Sequence, residues 1–289
     1  MRTLIIQEGG RHEANRNYRE SLCILRAFNY LKIGTTDVWG LGYENFHDVP
    51  DFNSYDLIFN LENYDTLYWL DNVKDEISKS KAIKILWSID AHYRGEEVFE
   101  KTFDEGCYDL LLHSTKDFVK KAHHRWFPNA FDDTLIKNLN IPKENYVGFC
   151  GNVASRGDLL KMLDENLGVN FKSDIFVIGD EMVKAINSYV VHFNASIDID
   201  INYRNFETIG CGTALMTNYN PHYQELGFKD GYNCIIYKSI NEILPILSYY
   251  QNNKDELDSI SKRGYLLSRQ HTYKERVKLL LDYYNEQIR

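Results

Sequence analysis

Positive charge is in short supply: 33 Lys and Arg against 42 Asp and Glu leave a net charge of −9. That deficit argues against a generally basic nucleic-acid binder. It leaves room for a local patch, because Lys116, Lys120, Lys121, His123, His124 and Arg125 fall close together. The five cysteines, Cys23, Cys107, Cys150, Cys211 and Cys234, are scattered and odd in number. Neither a C-x-x-C pair nor a Cys/His spacing suited to a metal occurs. They are expected to be buried, reduced thiols of a cytosolic protein. With 5 prolines and 17 glycines there is no low-complexity linker or collagen-like repeat. The start, Met1 to Glu8, holds too short an apolar run for a signal peptide, and no window approaches the ~20 apolar residues of a membrane span. A soluble, cytoplasmic protein is expected.

What is present is a globular pattern. A hydrophobic fraction of 44% and an aromatic fraction of 14% exclude a disordered chain, and 289 residues suffice for two cores. Short β-rich runs alternate with helical patterns, which predicts α/β domains built on parallel sheets. The first half offers strands at Thr3–Gln7, Thr36–Trp39, Asp56–Leu61, Ile83–Ser88 and Asp109–His113. Helices are expected at Asn17–Leu31, around Tyr93–Phe99, and at Thr115–His123 behind a Ser114 or Thr115 cap. Periodicity fails between Pro128 and Pro142. A second series follows: strands Tyr146–Cys150, Asp174–Ile178, Tyr189–Phe193, Ala214–Thr217 and Asn233–Tyr237, with helices Gly157–Glu165, Asp180–Ile186 and Tyr203–Gly210. Three helical segments close the chain, the last over about Thr272–Gln287. The expected division is a first domain at 1–140, a second at 141–270, and 271–289 as a closing helix. Two Rossmann-like domains in tandem would enclose a cleft faced by the C-terminal ends of both sheets.

The stretch richest in chemistry runs from Asn202 to Asn218. Arg204 and Glu207 stand three residues apart on one helix face. An Arg near a helix N-terminus suits a diphosphate, and a carboxylate one turn on can accept from ribose hydroxyls. A surface ion pair is the plain alternative. Earlier, Gly151 to Asp158 forms a strand-to-helix turn in which Arg156 could grip a phosphate in bidentate fashion, or simply be solvated. Asp90 and His92 end a buried strand, where either could act as a general base, or Asp90 could cap a helix. Gly9, Gly10, Arg11 and His12 follow the first strand and suggest close backbone approach by a ligand or by the other domain, or a flexible turn. Asp198 and Asp200 form a D-x-D triplet, which reads better as acid at a helix start than as a metal clamp. His123 and His124 are expected at a helix end, in a surface role rather than as metal ligands. Among the 21 tyrosines, some could serve as stacking platforms.

The segment Tyr203 to Thr217 resembles the R-x-F-E-x-x-A-x-G-x-x-L-L-T element of GT-B glycosyltransferases, and especially of the CgeB-like, spore-maturation type. His271-Thr272-Tyr273-Lys274-Glu275-Arg276 resembles that family's H-T-Y-x-x-R signature, and Gly227 to Tyr237 its G-x-E-x-x-x-Y segment. Gly210 and Cys211 depart from it where an Ala is usual. Phage DNA β-glucosyltransferases share the outline. The resemblance implies a GT-B fold with the closing helix crossing back to the first domain. It implies an enzyme that transfers a hexosyl or pentosyl group from a nucleotide-diphosphate-sugar, UDP-sugar foremost, to a hydroxyl. Asp90 would then be the catalytic base. Gly151, Arg156, Arg204, Asn205 and Glu207 would bind the donor, and the Gly9–His12 loop with His92 would face the acceptor. Transfer would invert the anomeric centre without a required cofactor; a divalent metal is possible but not expected. The acceptor would be carbohydrate, or double-stranded DNA with hydroxymethylated bases, in a host cytoplasm if phage-encoded. A non-catalytic nucleotide-sugar-binding protein is the remaining alternative.

Overall fold

Buried β-branched and aromatic runs joined by amphipathic helices can only form parallel sheets covered on both faces, and that is the arrangement seen twice. The computed structural model describes residues 1–10, 12–64 and 68–288. It divides into two units, Met1–Asn129 with Tyr273–Arg289, and Ala130–Thr272.

In the first unit β1 (Arg2–Ile6), β2 (Thr35–Trp39), β3 (Leu57–Asn60), β4 (Ile83–Ser88), β5 (Leu110–His113) and β6 (His124–Trp126) form one sheet in the order β2-β1-β3-β4-β5-β6. All its pairings are parallel. Leu4, Ile6, Ile58, Leu86 and Leu111 meet Trp39, Trp69 and Phe99 in its core. The closing helix Tyr273–Ile288 packs on the helix Glu20–Leu31 of the same unit. Its buried Arg276 donates from Nε to Pro128 O at 2.8 Å and from Nη2 to Asn129 O at 3.2 Å. Burial, the main cause, lowers the Arg276 pKa to about 10.

In the second unit β7 (Asn145–Gly151), β8 (Phe171–Ile175), β9 (Tyr189–Asn194), β10 (Ala214–Asn218) and β11 (Ile235–Tyr237) follow the order β11-β10-β9-β7-β8, again parallel. Val147, Phe149, Val191, Phe193 and Met216 lie in its core. Gly148 is required where it stands: a Cβ there would lie 2.2 Å from the ring of Tyr189, which is wholly buried.

Several expectations need correction. Residues 115–123 form no α-helix; a single 3-10 turn, Lys116–Phe118, leads into β6, whose edge pairing with β5 outweighs helical propensity. The strand expected at Asp174–Ile178 is β8, three residues earlier. Its register against β7 runs from Val147↔Phe171 to Gly151↔Ile175, and Phe176 breaks away with φ of 58°. The helix around Tyr93–Phe99 is two, Ala91–Arg94 and Glu96–Gly106, interrupted at Gly95 with φ of +95°. Cys107 is exposed, whereas the other four thiols are buried. No helix among the described residues is long and apolar enough to cross a membrane.

Candidate active site

Each sheet contains a point where the chain reverses its direction of travel across the strands. Loops leaving the two strands at such a point diverge and leave a crevice at their C-terminal ends. In the second unit the point lies between β7 and β9, and in the first between β1 and β3.

At the β7/β9 point the chain after Gly151 turns through Ala154–Arg156 into the helix Gly157–Leu167. Gly151 has ordinary backbone angles, and its Cβ direction is open except for the Phe149 ring at 3.4 Å. Arg156 folds back, half-buried: Nε donates to Ala195 O beyond β9 and Nη1 to Asn152 O at 2.9 Å. Burial lowers its pKa, and the charge of Arg204 adds to that.

After β9 the helix Tyr203–Gly210 begins under a side-chain cap, Asn202 Oδ1 accepting from the Arg204 amide at 3.0 Å. It ends in a Schellman motif. Gly212, at φ of +68°, donates to Ile209 O, and Thr213 donates to Thr208 O. Gly210 sits under the Phe131 ring, 2.6 Å from where a Cβ would be, so the departure from Ala at this position accommodates packing.

Arg204 and Glu207 are brought together. Nη1 of Arg204 donates to Glu207 Oε2, and Nε donates to Cys150 O at 3.1 Å. Burial opposes the Arg204 charge, but Glu207, with smaller contributions from Cys150 and Cys211, outweighs it, so its pKa lies above the usual value. Two residues that the sequence reading passed over complete the arrangement. His192, wholly buried in β9, accepts the Cys150 amide on Nε2 at 3.2 Å. Since an amide only donates, neutral His192 carries its proton on Nδ1, which faces Thr208 Oγ1. Thr208 in turn donates to Arg204 O. The four groups close a ring running from Cys150 through His192, Thr208 and Arg204 back to Cys150. Burial first, then the Arg204 charge, push the His192 pKa down to about 3, so it stays neutral. The signal available in the sequence was a His inside an otherwise apolar strand.

Asn205 follows Arg204 in the same helix. It is wholly buried, and its Oδ1 accepts from Asn194 at 2.9 Å. The D-x-D triplet is split, Asp198 being exposed and Asp200 buried.

At the β1/β3 point, Gly9 makes a close backbone approach, but to the chain itself: a Cβ would lie 3.2 Å from the Gly42 main chain. Gly10 has φ of +80° beside the Arg19 side chain. His12 is exposed before the short helix Glu13–Arg16, and Arg11 lies outside the described residues. A further carboxylate, Glu62, follows β3. Its Oε1 accepts the Glu8 amide at 3.2 Å and lies 3.6 Å from Arg19 Nη2. Burial raises the Glu62 pKa to about 7. Nothing local in the sequence marks Glu62, because strand order alone puts it at the reversal point.

Beyond the adjacent β4, Asp90 occupies the N-cap position of Ala91–Arg94 yet makes no side-chain cap bond. Its carboxylate is 49% exposed and 4.0 Å from Arg94 Nη2. Desolvation by its surroundings raises its pKa, with Arg94 and His92 opposing. His92 is half-buried on the same short helix.

Residues 152–282, which include Arg156, Arg204 and Glu207, match the model of a family described as glycosyl transferase-like. No curated protein sequence matches the chain significantly. Among solved structures, HepE from Anabaena, crystallised in complex with UDP and glucose, superimposes with a TM-score of 0.66 at 11% identity over 98% of this chain and 100% of that one. A glycosyltransferase from Rickettsia africae gives 0.66 at 8% identity, covering 100% and 98%. Sucrose-phosphate synthase from Thermosynechococcus elongatus gives 0.66 at 11% identity, covering 99% and 98%. At such identities the likeness is one of fold: two Rossmann-like, parallel-sheet domains of the GT-B type.

Proposed function

We propose that this chain is a glycosyltransferase that moves a sugar from a UDP-sugar to a hydroxyl of a carbohydrate acceptor. The observation that carries the reading is the Arg204/Glu207 pair, held at the β7/β9 reversal point inside the segment that matches the glycosyl transferase-like family. The donor belongs on the Ala130–Thr272 unit. Arg204 and the start of the Gly157–Leu167 helix supply positive potential for a diphosphate, and Arg156 adds to it. Glu207 takes ribose hydroxyls. The complex of HepE with UDP and glucose supports uracil as the base.

The acceptor belongs on the other unit, where Asp90 acts as general base. Of the two raised carboxylates there, Asp90 is open to an incoming hydroxyl, whereas Glu62 is pinned by Arg19 and the Glu8 amide. Asp90 takes the hydroxyl proton as the oxygen attacks the anomeric carbon, and the nucleoside diphosphate leaves from the opposite face. The outcome is inversion, and the two arginines can stabilise the departing charge without a bound metal. The net charge of −9 favours a neutral carbohydrate over the phosphodiester backbone of DNA.

The experiment is nucleotide release from UDP- and GDP-sugars, with carbohydrate acceptors and with hydroxymethylcytosine duplexes, in wild type, Asp90→Asn and Glu207→Gln. Carbohydrate-stimulated release that falls about 10²–10⁴-fold in Asp90→Asn, with UDP affinity kept, supports the reading. Stimulation by the duplex alone moves the acceptor to DNA. Binding without any turnover leaves a nucleotide-sugar-binding protein, and no donor binding sinks the proposal. Activity after chelation, and the anomeric configuration of the product by NMR, test metal independence and inversion.

A further inference from the structure

The pair expected at a helix end, His123 and His124, lies instead at and just before β6, the edge strand of the first sheet, facing the helix Glu96–Gly106. His124 is 2% exposed. Its Nδ1 lies 2.8 Å from Phe118 O, and a carbonyl only accepts, so Nδ1 carries the proton. The Lys120 amide reaches the same nitrogen only at 3.3 Å. The lone pair of a neutral His124 is therefore on Nε2, and that atom is 2.9 Å from Glu100 Oε1. The second imidazole, His123, brings its Nε2 to 3.7 Å from Glu100 Oε2. Its ring is held flat against Phe103, centroids 4.3 Å apart and planes at 12°.

None of the three atoms, Glu100 Oε1, His123 Nε2 and His124 Nε2, has a hydrogen-bond partner, and all three are buried. Two imidazoles and a carboxylate thus converge with all their ligand atoms within 4.8 Å of one another. Unpartnered lone pairs buried at such distances repel unless a cation lies between them. Two neutral nitrogens and one carboxylate oxygen form the donor set that suits a borderline first-row dication in tetrahedral coordination, with one position left for water.

We propose that Glu100, His123 and His124 form a binding site for a divalent transition-metal ion, Zn²⁺ being the best match. Glu100 would bind through Oε1 alone, because Lys121 Nζ already takes Oε2 at 2.8 Å and would remain as an outer partner. The ion would tie the Glu96–Gly106 helix to the edge strand and so close the exposed border of the sheet. It takes no part in sugar transfer as proposed above, and the inference stands whether or not that reading does.

The test uses the full, tag-free chain after chelation. Zn²⁺ is titrated by calorimetry, and Co²⁺ by the visible absorption of its d–d bands. One saturating equivalent with a micromolar or tighter dissociation constant is expected. Glu100→Gln and His123→Asn, both at half-buried positions, should each weaken it by about tenfold or more. The exposed His12→Asn should leave it unchanged. Circular dichroism of each metal-free variant establishes that it is folded. Absence of saturable binding overturns the proposal, as does binding that both folded variants retain in full.

Discussion

Arg204 donates from Nε to the carbonyl of Cys150 at 3.1 Å, so a cation on one helix is fixed to the penultimate residue of a strand 54 positions earlier. The same guanidinium reaches Glu207 through Nη1, so its orientation is determined at two corners before any ligand arrives. Preorganisation of this kind lowers the ordering cost of binding an anion.

Arg204→Lys keeps the charge but cannot reproduce the two-cornered attachment of a planar fork. With charge-assisted bonds worth about 1.5–3 kcal/mol, UDP affinity by calorimetry is expected to fall roughly tenfold or more. Unchanged affinity would move the diphosphate away from Arg204.

His192 supplies a pH dependence with a definite sign. Its folded pKa of about 3 lies below the ordinary 6.5, so the unfolded chain binds the extra proton. Stability from this group is complete above pH 6.5 and is lost as pH falls towards 3. Denaturant titrations between pH 7 and pH 4 should show a slope that is shallower in His192→Phe, by up to about 1.4 kcal/mol per pH unit. At pH 7 the same variant should be destabilised by about 1–3 kcal/mol, because the Cys150 amide loses its acceptor. Equal slopes in the two proteins would mean that His192 is not held neutral.

Glu62 works in the opposite direction. Its folded pKa of about 7 lies above the ordinary 4.5, so ionisation costs stability as pH rises from 4.5 through 7. Glu62→Gln should therefore melt higher than wild type at pH 8, with the gap shrinking by pH 5. Arg19 keeps a second carboxylate, Glu20 at 3.5 Å, so the substitution does not strand its charge. A variant that melts lower at pH 8 would show that the Arg19 pairing outweighs desolvation.

Gly148→Ala forces a methyl group into the ring of Tyr189. Overpacking of this sort costs about 1–3 kcal/mol, and thermal unfolding should show a lowered midpoint. Gly168→Ala, where nothing lies within 4 Å but φ is +51°, separates backbone strain from collision.

The alternation of strand and helix, and with it the fold class, was readable because parallel strands buried on both faces are apolar throughout. Ile83–Ser88 and Tyr203–Gly210 were located to the residue. What failed was short or edge structure. Three-residue β6 carries no period, and β8 is exposed enough that pairing with β7, rather than hydropathy, fixes its limits. In the site, Arg204 and Glu207 were legible because helical spacing is local. Glu62, and the linkage of His192 to Cys150 and Thr208, were not, since strand order creates both. The glycine at position 9 illustrates the converse: a residue that signals close approach without saying to what.

The ring around Arg204 passes through residue 150 only by way of its amide and carbonyl. Every amino acid except proline offers that pair, so the side chain at 150 can drift among buried types without loosening the guanidinium. Positions 192, 204 and 208 have no such freedom, because their side chains form the links. Distant relatives could therefore share this geometry while showing no common residue at the strand end, and sequence comparison would miss the joint that holds the cation.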